Sequence, residues 1–251
     1  MISELTQLAI KAAIEASKDI LSIYKSDDFE IESKEDKSPL TKADKAAHKI
    51  ISSILQESKI PILSEEGKSI PYETRKYWNK LWIVDPIDGT KEFIKRNGEF
   101  TVNIALIEKN KPVIGVILTP ASEILYFSEK NIGAFKTTTN LDYFNPENLL
   151  AESLPLPLNH ENKAYTVVAS RSHLSKETEA YVENLRTKHG EVKFISIGSS
   201  LKLCMVAEGK ANCYPRFAPT MEWDTAAGHA IVNFSGKKLI DYTTQKEMIY
   251  N

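Results

Sequence analysis

Trp82-Ile83-Val84-Asp85-Pro86-Ile87-Asp88-Gly89-Thr90 is the stretch on which the reading of this 251-residue chain turns. Leu81 and the three residues after it form a short apolar run, rich in branched and aromatic side chains, that stops at Asp-Pro. Such a run reads as a buried strand. Carboxylates placed at a strand end are held in fixed positions. Hard divalent cations take several oxygen ligands, and Asp85, Asp88 and the Ile87 carbonyl supply them from one turn. Gly89 allows the backbone to turn sharply. Thr90 then opens a helix, whose free N–H groups suit an anion such as phosphate. Taken alone, Asp-Pro-x-Asp-Gly is equally well an ordinary turn.

Two further acidic places lie outward from this stretch. Glu65 and Glu66 follow the apolar residues 60–63, and Asp224 stands in Glu222-Trp223-Asp224-Thr225-Ala226-Ala227-Gly228, at the start of a helix. Each has a plain structural reading: a solvated acidic pair for Glu65-Glu66, a helix cap for Asp224. Thr41 with Asp44 matches a capping box. The joint occurrence of these acids, in this order, points instead to a cation-binding cluster serving an acidic substrate.

The rest of the chain frames that cluster. A helix is expected over residues 2–24, and Ser38-Pro39-Leu40-Thr41 opens another that runs through Ala46, Ile50 and Leu55. Strands follow over 101–107, 112–118, 124–127 and 133–136. Residues 146–162 are rich in Pro, Asn and Glu, and include Leu154-Pro155-Leu156-Pro157, which continues neither a helix nor a central strand. A division is placed there: 1–150 as an N-terminal α+β part with most of the acids, and 151–251 as a C-terminal α/β part with Asp224. In the second part, strands are expected over 165–169, 192–197 and 212–217, and helices over 176–188, 199–208 and 226–234. The fold class is α+β, with two packed α–β subdomains and the acids in the cleft between them.

Composition excludes several classes. At 42% hydrophobic and 26% charged the chain is an ordinary globular one. A formal net charge of −2 argues against a nucleic-acid polymer as partner. No apolar stretch is long enough to span a bilayer, so no stable membrane insertion is expected. The cytoplasm is the expected location, with a peripheral seat on a bacterial inner membrane as the secondary reading. Cys204 and Cys213 are expected as two reduced thiols. There is no P-loop and no dinucleotide-binding glycine fingerprint.

Asp85-Pro86-Ile87-Asp88-Gly89-Thr90 and Trp223-Asp224-Thr225-Ala226-Ala227-Gly228 resemble the paired signatures of the inositol monophosphatase superfamily, the lithium-sensitive, magnesium-dependent sugar phosphatases. The resemblance runs over nearly the whole chain. Residues 91–103 resemble the CysQ-type 3′(2′),5′-bisphosphate nucleotidases of that superfamily. So do Ala169-Ser170-Arg171-Ser172-His173, Gly198-Ser199-Ser200-Leu201-Lys202 and Tyr214-Pro215-Arg216-Phe217-Ala218-Pro219-Thr220. Ala218 stands where that branch usually has Gly. The chain also ends at Tyr250-Asn251, earlier than relatives do, which is expected to cost the last strand some stability.

The resemblance implies a layered α-β-α-β-α fold and hydrolysis of adenosine 3′,5′-bisphosphate to AMP and phosphate, a step tied to sulfur assimilation. It implies two or three Mg²⁺ ions. Glu65, Asp85 and the Ile87 carbonyl would hold the first, and Asp85, Asp88 and Asp224 the second, with Glu65 also holding a third through water. Thr90, oriented by Asp44, would help deprotonate the attacking water, with Glu65 beside it. Gly89 and Thr90 amides would hold the scissile phosphate, while His173, Ser199, Lys202, Arg216 and Asp224 would bind the nucleotide. Two rival readings stand beside this one. The first is an inositol monophosphatase or another sugar-phosphate phosphatase. The second is a catalytically silent, metal- or nucleotide-binding regulator.

Overall fold

The computed structural model describes residues 1–26, 29–33, 39–159, 164–169 and 175–251. In chain order the elements begin with α1 (Glu4–Lys25), β1 (Glu32–Ser33), β2 (Pro39–Leu40), α2 (Lys42–Leu55), β3 (Ile62–Ser64), α3 (Tyr72–Arg75), β4 (Lys80–Asp88) and α4 (Thr90–Ile94). The sheet continues through β5 (Thr101–Glu108), β6 (Lys111–Thr119), β7 (Ile124–Glu129), β8 (Gly133–Thr138) and β9 (Leu154–Pro155). Beyond it come β10 (Tyr165–Ala169), α5 (Lys176–His189), β11 (Val192–Ser196), α6 (Leu201–Glu208), α7 (Glu222–Phe234), β12 (Ile240–Asp241) and β13 (Lys246–Glu247).

Strands β3 to β9 form one seven-stranded sheet in sequence order. The β3–β4 pair is parallel and the rest are antiparallel. Both faces of this sheet are covered, and the alternation along β4 shows it. Trp82 and Val84 point into a core shared with Ile10, Ile14, Ala47 and Ile51 of α1 and α2. Leu81 and Ile83 point into a second core, with Leu203, Cys204, Ala226 and Ile231 of α6 and α7. A period of two carries successive side chains to opposite faces. That is why the strand reads as an unbroken apolar run rather than an alternating one.

On the far side of α6 lies the parallel pair β10–β11, with Val168 packed against Val206 of α6. Helix α5 closes that sheet, setting Val182 and Leu185 on Val167. The order of layers is therefore α1/α2, large sheet, α6/α7, small sheet, α5, which is the α-β-α-β-α arrangement expected. Helices of the C-terminal part thus cover one whole face of the N-terminal sheet.

Three expectations change. The expected strand over 212–217 is reduced to a single bridge, Val167 to Cys213, because Pro215 lacks the N–H a ladder needs. Helix α7 starts at Glu222, one turn earlier than expected, so Asp224 is inside its first turn. Strand β4 runs on past Asp85-Pro86 to Asp88. The prolines of residues 154–157 fall where the physics allows, since β9 is the edge strand. The last residues are held on both sides. Tyr250 N donates to Asn110 O at 3.0 Å, and Asn251 N donates to Glu222 Oε1 at 2.7 Å. Cys204 and Cys213 are free thiols.

Candidate functional site

The continuation of β4 builds the site. Asp85 pairs with Asn103 of β5, and Asp88 with Thr101, so three steps on one strand match two on the other. This is a bulge of one extra residue. In a regular strand Asp85 and Asp88 would point to opposite faces. The bulge turns Asp88 back to the face of Asp85, the side of Leu81, Ile83, α6 and α7. Pro86 suits the bulge because it has no N–H to leave unpaired, and Ile87 N donates to Asp85 Oδ1 at 3.1 Å.

The other acids arrive from neighbouring elements. Ser64 of β3 pairs in parallel with Val84, and Glu65 N donates to Val84 O at 3.1 Å, so Glu65 leaves its strand beside Asp85. Asp224 comes from the first turn of α7, where its Oδ2 accepts from Thr220 Oγ1 at 2.9 Å and from Met221 N at 3.1 Å. Close packing sets the depth of α7. A Cβ on Gly228 would lie 2.3 Å from Leu203 Cδ1 of α6, so no larger residue fits there without a shift. The small run Ala226-Ala227-Gly228 therefore serves the approach of α7 to its neighbours.

Gly89 N-caps α4 at φ +93°, in left-handed space, and a Cβ there would stand 3.1 Å from Glu99 O and 3.2 Å from Ser199 Cβ. Conformation and contact both call for glycine. The next residue, Thr90, donates from Oγ1 to Asp44 Oδ1 at 3.2 Å. Asp44 is buried, and its Oδ2 accepts from Thr41 N at 2.8 Å and Thr41 Oγ1 at 2.6 Å. Asp44 is thus both the helix cap expected of it and the partner of Thr90.

Electrostatics follow from the crowding. Burial pushes the Asp85 carboxyl well above the usual carboxylate range, and the charges of Glu65, Asp88 and Asp224 push it further. Burial also raises Asp88. Lys202 and the Ser200 hydroxyl oppose that rise without cancelling it. Lys202 is only 7% exposed. Burial lowers its pKa while the Asp88 charge holds it up, and its ammonium sits 5.6 Å from the Tyr214 ring centroid. Arg216 is more open. Its Nη2 donates to Pro219 O at 2.9 Å and lies 3.6 Å from Asp224 Oδ2.

The structure brings Glu65, Asp85, Asp88 and Asp224 within electrostatic reach of one another. Lys202, which donates to Ser199 O, lies near Asp88, and Arg216 near Asp224, while Thr90 Oγ1 of the Asp44–Thr90 pair lies 3.3 Å from the Ile87 carbonyl oxygen. His173 lies outside the described residues. Among the described residues, no three His, Cys, Asp or Glu side chains already form a closed cation cage. Asp88 and Asp224 instead turn toward hydroxyl and amide donors. The chemistry of the donor set fits a hard divalent cation. It is all oxygen, partly buried and short of compensating charge, which is the condition Mg²⁺ relieves.

Sequence reading assigned no role to Thr101, Asn103 or Ser200, although each lies within a motif it quoted. Ser200 Oγ donates to Asp88 Oδ2 at 2.7 Å, and Asn103 Nδ2 donates to Ser200 Oγ at 2.9 Å. These residues lie 97 positions apart in the chain, so only the folded sheet reveals the pair.

The chain belongs to the inositol monophosphatase family, which it matches over residues 1–251. It is 42% identical to the 3′(2′),5′-bisphosphate nucleotidase CysQ of Salmonella typhimurium, an alignment covering 99% of this chain and 96% of that one. With the nucleotidase CysQ of Buchnera aphidicola it shares 40% identity, over 97% of this chain and 85% of the other. Among solved structures, CysQ from Bacteroides thetaiotaomicron superposes with a TM-score of 0.84 at 52% identity, covering 92% and 86% of the two chains.

Proposed function

We propose that this protein is a Mg²⁺-dependent phosphomonoesterase that hydrolyses adenosine 3′,5′-bisphosphate to AMP and phosphate. The observation that carries the reading is the convergence of four carboxylates, Asp85 deeply buried among them, with Lys202 and Arg216 on the flank. The relatives that share 40–42% identity are nucleotidases for such bisphosphates by name.

Glu65, Asp85 and the Ile87 carbonyl would hold one cation, and Asp85, Asp88 and Asp224 a second, with Glu65 also available to a third. The cations supply Lewis acidity at the phosphate and at the attacking water. Thr90 Oγ1 donates to Asp44, which leaves its lone pairs to accept a hydrogen bond from that water; a proton taken there would be balanced by passage of the Thr90 proton to the Asp44 carboxylate. Glu65 would lie near the same water. Main-chain N–H groups of Gly89 and Thr90 receive the phosphate being cleaved. The second phosphate carries its own charge across the ribose, and Lys202 and Arg216 give it charge-assisted hydrogen bonds. Ser199 and His173 complete the nucleotide site.

The test is phosphate release from adenosine 3′,5′-bisphosphate and from inositol 1-phosphate, each with Mg²⁺ and after exhaustive chelation. Preference for the bisphosphate, lost on chelation, is expected. Preference for inositol 1-phosphate moves the chain to the sugar-phosphate branch. Turnover after chelation removes the cation mechanism, and no turnover at all favours the silent regulator.

A further inference from the structure

Ser200 stands between two of the acids and belongs to neither of their elements. It N-caps α6. Its Oγ lies 2.7 Å from Asp88 Oδ2 and 3.1 Å from the Asp224 carbonyl. A serine hydroxyl has one proton to give, so it serves one acceptor at a time. The neighbour on the other side determines which way that proton points. Asn103 is anchored on β5, and its Oδ1 accepts from Thr101 Oγ1 at 2.9 Å. Nδ2 then faces Ser200, where it donates at 2.9 Å, and the acceptor-only Asp88 carboxylate beyond Ser200 makes this direction the consistent one. Asn103 thus occupies a Ser200 lone pair and leaves the proton for the acidic side. The shorter contact, to a charged oxygen, is the stronger acceptor. Thr101, Asn103 and Ser200 are all buried, at 0%, 1% and 4% exposure, so water does not substitute for any of these bonds.

We infer that Asn103 and Ser200 form a positioning relay that sets the rotation of the Asp88 carboxylate, and through it the affinity of the site for its cation. The inference rests on the reading of Asp88 and Asp224 as cation ligands. It adds that the ligand geometry is controlled from the sheet, through a hydroxyl on α6. A hydrogen bond donated to one oxygen of a carboxylate leaves the other to lead toward a cation. Ser200 is a positioning residue and not a catalytic one, because it acts through Asp88.

The experiment is calorimetric titration of the full chain with Mg²⁺, and separately with Mn²⁺, in the absence of any nucleotide. It compares wild type, Ser200→Ala and Asn103→Leu, with melting temperatures measured alongside. Loss of a bond that orients a ligand commonly weakens cation affinity by about 10–100-fold, so Ser200→Ala is expected at about tenfold or more. Asn103→Leu, which keeps the hydroxyl and removes only its orientation, is expected to move the same way by less. At saturating Mg²⁺ the KM for adenosine 3′,5′-bisphosphate should stay within about twofold of wild type, since a shift of that size is under 0.5 kcal/mol.

Wild-type cation affinity in both variants overturns the proposal. So does a loss that appears only as a raised KM at saturating Mg²⁺, which would assign Ser200 to the substrate. Should Ser200→Ala fail to fold, Asn103→Leu decides by the same titration. Because no nucleotide is present, the titration reads the relay even if the substrate assignment proves wrong.

Discussion

Two clusters of buried acid lie on the same face of the large sheet, and they are built on opposite plans. At the end of α6, Glu208 is fully buried, with Lys136 Nζ 2.7 Å from Oε1, Lys210 Nζ 2.7 Å from Oε2, and the Tyr126 hydroxyl donating to Oε1. Burial alone would raise this carboxyl, but the three donors outweigh it and hold it below the usual range. The Lys210 contact acts as an ion pair more than a directed hydrogen bond, since Oε2 lacks a well-aligned donor. At the start of α6 the situation reverses. Of the four carboxylates gathered there, Asp88 and Asp224 have Lys202 and Arg216 beside them, yet both Asp85 and Asp88 are raised. One helix therefore carries a self-neutralised cluster at its C-terminus and an under-neutralised one at its N-terminus. The first is compensated within the protein, and the second, on the proposed chemistry, is completed by cations from solution.

The comparison breaks most sharply at Asp85→Asn. If Asp85 is shared by two cations as proposed, its loss should reduce turnover more than about a thousandfold, beyond what removal of one transition-state donor costs. Stability without Mg²⁺ should hold or rise, since the variant removes a buried and repelled charge. Steady-state kinetics with urea unfolding in EDTA measures both. A clear loss of stability in EDTA would mean that the charge is compensated within the protein.

Glu208→Gln should do the reverse. Breaking a buried ion cluster from one side costs about 3–5 kcal/mol, and Lys136 is left with a neutral partner. Urea unfolding should show this loss, while kcat at a permissive temperature stays near wild type. Unchanged stability would place Glu208 among the ornamental charges.

A third buried titratable group sharpens the contrast by pH. His229 on α7 is fully buried, and burial lowers its pKa to about 4 despite the Glu247 carboxylate nearby. The 3.7 Å approach of Nε2 to Glu247 Oε1 is therefore a neutral contact at pH 7, because burial outweighs the pairing. The unfolded chain binds a proton near pH 6.5, and the folded one not until about pH 4. Stability from this group is complete above pH 6.5 and falls as pH drops toward 4, by at most about 3 kcal/mol. A pH series of urea unfolding should show the decline, and His229→Gln should flatten it.

The smallest effect concerns Mg²⁺ itself. At ten times its dissociation constant, a ligand that binds only the folded state adds about 1.4 kcal/mol. The raised Asp85 and Asp88 make that gain depend on pH, because the cation must displace their protons. Thermal shift with Mg²⁺ should be larger at pH 8 than at pH 5.5. Equal shifts at both would mean that the cation binds elsewhere.

How far the sequence foretold this contrast differs between the two clusters. The acids of the site were legible because Asp85, Asp88 and Asp224 sit in compact local signatures. The strand was legible because its apolar run is unbroken, and the order of layers came from the resemblance that those signatures carry. The bulge was not, since Asp-Pro looks like an ending. Only the pairing of Asp88 with Thr101 shows that the ladder resumes. Lys202 reads as any lysine, and its burial comes from Tyr214 and the site carboxylates, which are remote in sequence. The Glu208 cluster left no local trace, because Tyr126 and Lys136 reach it from β7 and β8, 82 and 72 residues away.

Asp44 divides its two oxygens between two duties: Oδ2 closes the first turn of α2 through Thr41, and Oδ1 receives Thr90. A single local opening therefore has two costs. Were the first turn of α2 to fray, the carboxylate would swing with it and Thr90 would lose its orienting partner; Ala43 would leave the first core, while the sheet and the second core would keep their contacts. On the proposed chemistry, warming the enzyme would silence it before it melts. Replacing Thr41 to tighten or loosen the cap would then tune the gap between inactivation and melting without touching any group that meets the nucleotide.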